Sequence, residues 1–440
     1  MNKRIAGVMI AAALLGACNP FNRSRPKTPV VGNRVSVLTQ DLDIAVDPET
    51  AALPFSLPAA AANADWAQPG GSPSKSLGHL ALGTALGNAW TASIGAGDRP
   101  RARLASAPVI ADGKVFTIDT TSTVRAFEAA SGRQLWATQF GTEKGNSASL
   151  FGGGVAVANG RVFATNGLGF VAALDTGNGG IGWQVRLGGP LRGAPSVDGS
   201  GTVYVMSQDN QIFSLKAADG ATNWSNPASL EIAGVFGTGA PAIAQSTVVA
   251  GFSSGELNAY RAENGRTVWQ DALARTSIST SVATLSDIDA SPVVDNGQVF
   301  AVGQGGRMVA IDLLSGQRIW ELNLAGISTP WVAGDWVFVS TDDAKLVAVA
   351  RNTGKIRWIN QLPAWRNAKA RRNAITYVGP ILAGDRLIVA GSTGALINVD
   401  PATGATQSQT NVGAGVHLSP VVANSTLYVL DDNARLHAYR

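Results

Sequence analysis

The chain has 440 residues, a formal net charge of +4, 15% charged residues, 51 glycines and one cysteine. So small a net charge gives no indication of nucleic-acid binding, and a single cysteine excludes a disulfide within the chain. The length is large for one domain by the usual prior.

The first residues predict an exported lipoprotein. Two cations precede an apolar run over residues 5–15, which is too short for a stable membrane span and has the length of a secretory signal core. Residues 1–17 are therefore predicted to be a signal peptide. The motif LGAC at residues 15–18 resembles the bacterial lipobox, in which the cysteine is acylated and becomes the first mature residue. An unmodified thiol at Cys18 is the alternative.

The residues after Cys18 predict where the protein is held. Asn19, rather than Asp, follows the cysteine, and the lipobox resemblance then implies the outer membrane, with the lipid-anchored protein on its periplasmic face. Residues 18–64 are rich in Pro and Ala and are predicted to form an extended or loosely packed tether.

A repeated phrase dominates residues 65–440. Glycine, three residues and tryptophan recur at the start of amphipathic strands, ending at Trp136, Trp183, Trp224, Trp269, Trp320 and Trp358. An apolar run led by proline begins each unit, at Pro108, Pro195, Pro241, Pro292, Pro330, Pro380 and Pro420, with Val155 in the equivalent place of one unit. Four short strands per unit, with alternating polarity and turns rich in Gly and Asn, predict an all-β, eight-bladed β-propeller with four antiparallel strands per blade.

The two ends of the repeat region predict how the ring closes. The final LHAYR, ending at Arg440, aligns with the third strand of other blades, so the last blade has no fourth strand after it. An isolated strand around Trp90, NAWTASIG, lies before the first unit. We expect this N-terminal strand to complete the last blade and to remove its open edge.

The tryptophans have two interpretations. Indoles stack on sugars, quinones or bases, but one indole per blade favours packing between neighbouring blades. The seventh unit, TGATQS, retains the turn at Gly404 and has Ser408 where tryptophan is expected, and a structural role tolerates that loss. The predicted structural tryptophans are Trp90, Trp136, Trp183, Trp224, Trp269, Trp320 and Trp358.

Residues that would indicate an enzyme are sparse. A pyrroloquinoline quinone dehydrogenase shares the eight-bladed architecture, but it needs calcium ligands, a catalytic Asp or Glu as general base and usually a pair of adjacent cysteines, and this chain has one cysteine. His79, His417 and His437 show no spacing typical of metal ligands. We therefore predict no catalytic residue, metal or cofactor. A quinone-dependent or ligand-binding periplasmic propeller remains the alternative.

A basic run, residues 365–372, follows Trp358. It contains Arg366, Lys369, Arg371 and Arg372 beside Trp365. A solvated loop is the favoured interpretation, and an acidic partner, anionic lipid or nucleic acid is the alternative.

The whole set of features resembles the BamB family of outer membrane protein assembly factors. The resemblance rests on the lipobox, the tether, the phrase DWAQPGG at residues 65–71, the ring closed by an N-terminal Trp strand, and LSDIDASPVV at residues 285–294. It implies a non-catalytic scaffold that docks on the periplasmic domains of BamA, the barrel protein that inserts outer membrane proteins. Other subunits of the assembly machinery and unfolded outer membrane proteins are the further implied partners.

The resemblance also implies which residues bind the partner. In the family the two acidic residues of the LSDID phrase belong to the BamA-binding surface, and here they are Asp287 and Asp289. Leu230 and Ile232 match apolar positions of the preceding loop, whereas Ala233 stands where family members carry arginine. The alternative for the two aspartates is turn capping before a strand.

Overall fold

Eight four-stranded antiparallel sheets follow one another along the chain in the computed structural model, which describes residues 44–142, 152–230, 237–273 and 287–440. The described chain begins with helix α1 (Pro48–Ala52) and strand β1 (Asn88–Ser93). The sheets form an eight-bladed β-propeller, which confirms the predicted fold.

The blades are contiguous in sequence except the last. Blade one contains β2 (Val109–Ala111), β3 (Lys114–Ile118), β4 (Thr123–Glu128) and β5 (Gln134–Gln139), and blade two contains β6 (Gly153–Ala158), β7 (Arg161–Asn166), β8 (Phe170–Asp175) and β9 (Ile181–Arg186). Blade three contains β10 (Ser196–Val197), β11 (Thr202–Met206), β12 (Gln211–Lys216) and β13 (Thr222–Pro227), and blade four contains β14 (Ala242–Ala244), β15 (Thr247–Gly251), β16 (Glu256–Arg261) and β17 (Thr267–Ala272). Blades five and six are β18 (Val293–Asp295), β19 (Gln298–Gly303), β20 (Arg307–Asp312) and β21 (Arg318–Leu322); and β22 (Trp331–Ala333), β23 (Trp336–Ser340), β24 (Lys345–Ala350) and β25 (Ile356–Gln361). After a hairpin of β26 (Trp365–Asn367) and β27 (Arg372–Ala374), blade seven is β28 (Tyr377–Ala383), β29 (Arg386–Gly391), β30 (Ala395–Val399) and β31 (Thr406–Asn411), and blade eight contains β32 (Val421–Ala423), β33 (Thr426–Leu430) and β34 (Arg435–Tyr439).

The hydrophobic core lies between neighbouring sheets. The second strands are almost wholly buried, whereas a typical fourth strand such as β5 buries only its tryptophan. One apolar cluster joins Phe116 and Trp136 of blade one to Val162 and Leu174 of blade two. Because each sheet packs on the next, burial of apolar surface stabilises the ring one junction at a time.

The N-terminal strand completes blade eight, as predicted. Strand β1 pairs antiparallel with β34, with Trp90 opposite Ala438 and Ser93 opposite Arg435. The backbones of Gly87 and Arg440 exchange hydrogen bonds of 2.7 and 3.0 Å just beyond this pairing. The ring is thus closed by strands that lie more than 300 residues apart in sequence.

The seven tryptophans join each blade to the next, which supports their structural interpretation. Each indole Nε1–H donates to a backbone carbonyl in the following blade's turn between strands three and four, as Trp136 does to Thr176 at 3.2 Å. The other six acceptors are Ala129, Ala217, Ala262, Leu313, Arg351 and Pro401. The turn glycine of that blade lies under the ring, and a Cβ there would come within 2.5 to 2.8 Å of it.

Blade seven is the exception. Ser408 occupies the tryptophan position of β31, and all six residues of this strand are exposed. The following blade has no turn between its third and fourth strands, because β34 and β1 come from distant parts of the chain. The junction that lacks a tryptophan is therefore also the junction that lacks the turn on which an indole packs.

The described end of the predicted tether, residues 44–64, packs on the ring instead of extending away from it. Val46 forms a bridge with Ile356 of blade six, and Asp47 caps helix α1 by accepting from the backbone of Thr50 at 2.8 Å. Phe55 stacks on Trp336 at 5.4 Å between ring centres. Apolar and backbone contacts of this kind fix the segment on blade six.

Residues 63–80, here called the belt, run around one end of the ring and touch every blade in order. The contact in blade eight is between Asn63 and Val422, at 2.6 Å. Backbone or side-chain hydrogen bonds then join, from blade one to blade seven, Trp66 to Ile110, Ala67 to Val157, Gln68 to Val197, Pro73 to Ile243, Ser74 to Val294, Gly78 to Trp331, and Leu80 to Leu382. The belt thereby covers one mouth of the central channel.

Candidate partner-binding face and central channel

The antiparallel connections give the ring two different faces. The turns between strands one and two and between strands three and four lie on one face, here called the turn face, together with the belt and helix α1. The turns between strands two and three and the connections between blades lie on the other, here called the loop face. Asp287, Asp289 and Leu230 belong to connections between blades and therefore to the loop face.

The connection before blade five is tied to the neighbouring turns by its backbone. Ile288 donates to the carbonyl of Phe252 at 3.1 Å, and Gln304 donates to the carbonyl of Asp287 at 2.9 Å. The Ile288 side chain is fully buried. These contacts hold the described part of the LSDID phrase between blades four and five.

Both aspartates of the phrase are buried. Asp287 is 0% and Asp289 is 7% exposed, and Asp289 forms an ion pair with the buried Arg192 at 3.1 Å. Arg192 also donates to the carbonyl of Ile288 at 3.3 Å. The carboxylate of Asp287 has no hydrogen-bond partner among the described residues, but it lies close enough to Arg192 to interact electrostatically.

Arg192, Asp287 and Asp289 together are called the acidic cluster. Burial is the largest influence on the pKa values of Arg192 and Asp289. Burial raises the pKa of Asp289 to about 7, with Arg192 opposing the shift and Asp287 adding to it. Burial also lowers the pKa of Arg192, against the attraction of the two carboxylates. Removing Arg192 would leave the buried carboxylates without a cation, and such a change is strongly destabilising.

Arg192 is the member of this cluster that the sequence prediction missed. The arginine expected at residue 233 is absent, and the guanidinium beside the aspartates comes from the connection before blade three. Gly237, in the connection before blade four, lies so close to Arg192 and Asp289 that any Cβ there would clash with both. The phrase Leu191-Arg192-Gly193 before a Pro-led run was the available signal, one blade earlier than the family pattern suggested.

The two predicted apolar contacts have different outcomes. Leu230 is 72% exposed at the end of the blade-three outer strand, on the loop face. Ile232 and Ala233 lie outside the described residues, as does Cys18. In the described parts of the chain, no helix has the length and apolar character to span a membrane.

The central channel contains a cavity of about 290 Å³ that is closed on one side by the belt. Its lining includes Trp66 and Lys75 of the belt and Asp289, Ser291, Thr329 and Pro380 of the blades. Trp66 stacks on Trp331 at 6.1 Å, and Lys75 donates to Ser196 at 2.9 Å. Burial lowers the pKa of Lys75 to about 7.

The channel does not fit a calcium-bound quinone. Asp289 carries the one carboxylate among the described lining residues, and Arg192 already pairs with it. A hard cation such as calcium requires several oxygen ligands, of which charged carboxylates contribute most. The single cysteine of the chain also excludes the adjacent pair that such enzymes usually place against the cofactor.

The three histidines have structural partners. His79 is buried, with Nδ1 at 2.9 Å from the carbonyl of Pro58 and Nε2 accepting from the backbone of Asp385. His437 lies 3.1 Å from Asp431. His417 lies 2.9 Å from Asp432, whose hydrogen bond raises the pKa of the imidazole.

One grouping was not foreseen from sequence. Asp98 and Asp432 approach His417 closely enough for three ligand atoms to lie within 4.8 Å of one another. Arg103 binds Asp98 at 2.9 Å, so a cationic group already balances part of this charge. Residues from the two ends of the propeller sequence meet here, which explains why spacing along the chain did not reveal the group.

The basic run forms the hairpin of β26 and β27, which is exposed throughout. Arg366 donates to the carbonyl of Ser392 at 2.6 Å and so fixes the hairpin to blade seven. Trp365 is 37% exposed. A solvated hairpin agrees with the favoured interpretation of this segment.

Comparison with known proteins adds the family. The blade architecture and the girdle of tryptophans define an eight-bladed propeller of the quinoprotein type. A family model described as outer membrane protein assembly factor BamB matches residues 120–360 and 363–440. The chain belongs to the BamB family, as the sequence resemblance indicated.

Individual relatives agree with this membership. The assembly factor BamB of Moranella endobia is 26% identical over 338 residues, covering 75% of this chain and 84% of that protein. The crystal structure of BamB from Moraxella catarrhalis superposes with a TM-score of 0.69 at 20% identity, covering 81% of this chain and all of that one. Quinohemoprotein alcohol dehydrogenase from Comamonas testosteroni shares the fold, with a TM-score of 0.65 at 14% identity over 86% of this chain and 81% of that one.

Proposed function

We propose that this protein is a non-catalytic scaffold of the outer membrane protein assembly machinery that docks on the periplasmic domains of BamA through its loop face. Membership of the BamB family supports the assembly role. The observation that carries the docking site is that the exposed Leu230 and the acidic cluster both lie on the loop face.

The two parts of this site have different tasks. Leu230 offers apolar surface that a partner covers directly, and such anchors contribute most to binding when water is excluded around them. Asp287 and Asp289 are buried, so they act by holding the connections before blades three, four and five in one arrangement. Their side chains are positioning residues for the docking surface.

The direct contact is tested by substituting Leu230. The tagged, lipidated chain is recovered from its own envelope in mild detergent, and co-purified proteins are identified by mass spectrometry. Leu230→Asp is expected to reduce BamA recovery at least about tenfold, the effect of a lost anchor residue. Leu314→Asp is the matched control, because Leu314 is 66% exposed but lies in a turn of the opposite face. Equal loss in both variants, or no BamA with the wild type, would refute the proposal.

The positioning role has a separate test in Asp287→Arg/Asp289→Arg. This double variant is expected to lose BamA because two additional buried cations disrupt the connections around Arg192. Asp287→Asn/Asp289→Asn retains the shape without the charges and is expected to retain more of the partner. Thermal unfolding of each variant shows whether the ring itself survives. Full BamA recovery with the Arg variant contradicts the role.

The membrane attachment that we propose is a lipid at Cys18. Replacing Cys18 with Ser is expected to release the protein from outer membrane fractions into the soluble periplasm, because no other lipid-accepting cysteine exists in the chain. Mass spectrometry of the wild-type N-terminal peptide measures the modification directly. An unmodified peptide in the wild type would rule out the anchor.

The same scaffold is proposed to assist unfolded outer membrane proteins by offering exposed strand edges to β-rich clients. The outer strand of each blade has one unpaired edge within its sheet. The purified propeller is then expected to slow the aggregation of an unfolded outer membrane protein. A lack of effect over a range of molar ratios counts against client binding and leaves the BamA proposal standing.

A further inference from the structure

The junction between blades seven and eight contains a cavity of about 230 Å³. Its lining includes Arg386, Ile388, Leu396, Asn398 and Ser408 of blade seven, Leu427 and Tyr439 of blade eight, and Thr84 and Leu86 of the segment before β1. It lies at the outer part of the ring, because Ser408 belongs to the outermost strand of its sheet. Neither Asp289 nor Leu230 contributes to it.

The cavity is the counterpart of the seven indole sites. In blade one, Phe116, Ala126 and Trp136 are consecutive partners across three strands. In blade seven the corresponding partners are Ile388, Asn398 and Ser408, and all three line the cavity.

The neighbouring blade supplies the matching wall. Val162 and Leu174 pair in blade two and pack around Trp136. Leu427 and Tyr439 pair in the same way in blade eight and line the cavity. The cavity therefore has the surroundings of an indole site, and its own strand provides serine in place of the indole.

The volume and the walls suit an aromatic ring. A cavity of about 150 Å³ with apolar walls is sufficient to bind benzene, and this cavity, whose walls are partly apolar and partly polar, is larger. Aliphatic walls from Ile388, Leu396 and Leu427 provide dispersion contacts on both sides. An open rim at the fully exposed β31 gives access from solvent.

Arg386 provides a second, independent indication. Its side chain is buried, with 6% of the residue exposed, and two of its nitrogens donate to the carbonyls of Gly384 and Gly83 at 3.0 and 2.8 Å. Its Nε is buried without a hydrogen-bond partner among the described residues. A guanidinium beside a cavity attracts the face of an aromatic ring that enters it, and Arg357 already lies 5.0 Å from the Trp336 ring elsewhere in this chain.

The strand at the rim favours a peptide as the carrier of that ring. Strand β31 is the terminal strand of its sheet, and its residues are all polar and exposed. An extended peptide pairs with such an edge through its backbone and places alternate side chains toward the same side. One of them is then directed toward the cavity.

We propose that the cavity at Ser408 binds an aromatic side chain, with tryptophan preferred, of an extended peptide that pairs with β31. The inference refines the client binding at strand edges proposed above, and it does not depend on docking to BamA. It assigns a peptide-binding site to the junction at which the ring closes.

The test uses two fluorescein-labelled peptides, Thr-Val-Trp-Val-Thr and the same peptide with Ala in the centre, titrated with the full purified chain by fluorescence anisotropy. The wild type is expected to bind the Trp peptide at least about tenfold more tightly than the Ala peptide. Ser408→Trp fills the cavity from within and is expected to bring this ratio close to one. Gln409→Trp is the matched control, because successive residues of a strand point to opposite faces, and it is expected to retain the preference.

Two further variants keep the test decisive. Ser408→Leu is a smaller plug for use if the tryptophan variant folds poorly, as judged by its melting temperature. A third peptide with Glu in the centre tests the opposite chemistry, because a carboxylate would pair with Arg386. The proposal is overturned if the wild type shows no preference for Trp, if either plug leaves the preference intact, or if the Glu peptide binds as tightly as the Trp peptide.

Discussion

At the residue scale, two physical reasons explain why each repeated phrase that ends in tryptophan requires glycine at its start. Gly179 has a φ of +74°, which favours glycine over every L-residue with a side chain, and the space a Cβ would occupy is filled by the Trp136 ring of the previous blade. The glycine and the tryptophan of one phrase therefore serve different junctions. The tryptophan packs forward on the next blade, and the glycine receives the tryptophan from behind.

This pairing predicts a graded response to alanine. Gly160→Ala is expected to cost about 1 kcal/mol, because Gly160 shares a φ of +73° but has open space around it. Gly179→Ala adds a clash with Trp136, and we expect a total of about 2–4 kcal/mol. Urea unfolding of the two variants measures the difference. Equal costs would show that backbone conformation alone requires the glycine.

Lys75 is a residue whose charge the fold disfavours. Because its pKa falls to about 7 in the folded protein from 10.5 in the unfolded chain, the unfolded chain binds more protons between these values. Stability is therefore expected to rise as the pH increases from about 7 to about 10.5. Each unit of this shift corresponds to roughly 1.4 kcal/mol.

The Lys75 effect is isolated by a matched variant. Lys75→Met retains the length of the chain without the amine, so its melting temperature is expected to lose this part of the pH dependence. The difference between wild type and variant is measured from pH 6.5 to pH 10, which removes the contributions of other groups. A difference that stays constant with pH would contradict the lowered pKa.

At the element scale, the connections before blades three, four and five form a single unit around Arg192. The side-chain hydroxyl of Ser291 accepts from the backbone of Ala240 at 3.0 Å, which joins two of these connections directly. The acidic cluster joins the third. Disturbing any one connection is thus expected to disturb the whole loop face beside it.

Arg192→Met is expected to destabilise the ring by about 3–5 kcal/mol at pH 8, because two buried carboxylates lose their cation. The pKa of Asp289 is already raised to about 7 with the arginine present and rises further without it. Stability is then retained at low pH, where Asp289 is protonated, and lost as the pH rises through the raised pKa of Asp289. Urea unfolding at pH 5 and pH 8 is expected to show the smaller defect at pH 5.

Rescue provides the control for this prediction. Adding Asp287→Asn/Asp289→Asn to Arg192→Met removes the uncompensated charges and is expected to restore most of the stability at pH 8. An equal defect at both pH values, unaffected by the asparagines, would indicate lost packing of the arginine stem instead.

Sequence reasoning reached only part of this site. The LSDID phrase identified Asp287 and Asp289 because it is local and distinctive. It missed Arg192, because the residues that meet in the cluster come from connections two blades apart. It also did not predict that the aspartates are buried, since a polar connection between strands reads as exposed until its neighbours in space are known.

At the scale of the whole molecule, the ring is closed by the pairing of β1 with β34, which come from distant parts of the chain. A disulfide that replaces the facing Ser93 and Arg435 links β1 to β34 and encloses most of the chain. The same change at Thr123 and Gln139 links the equivalent strands within blade one over a short loop. Because loop closure lowers unfolded-chain entropy more for longer loops, the first disulfide is expected to stabilise by about 2.5–3 kcal/mol more than the second.

The measurement compares melting temperatures of the oxidised and reduced forms of each variant, with Cys18 replaced in both. A larger gain for the disulfide across the closure is the result expected from its longer loop. Equal gains would show that the closing pair is no weaker than a continuous blade.

The architecture was accessible from sequence because it repeats. Eight units with one period fixed the blade number, the strands and the closure, and all three agree with the structure. The belt was not foreseen, because residues 63–80 occur once and have neither period nor regular secondary structure. The packing of residues 44–64 on the ring was not predicted for the same reason, since Pro and Ala favour an extended chain without indicating what that chain packs on.

The belt has a consequence for how the number of blades is specified. Similar blades that pack side by side do not by themselves determine how many blades the ring contains, because every junction resembles the next. Residues 63–80 present one hydrogen-bonding position to each of eight successive inner strands. A ring of seven would leave one belt position without its strand, and a ring of nine would leave one strand uncovered. The belt thus favours a ring of eight blades, because only that number matches all of its hydrogen-bonding positions.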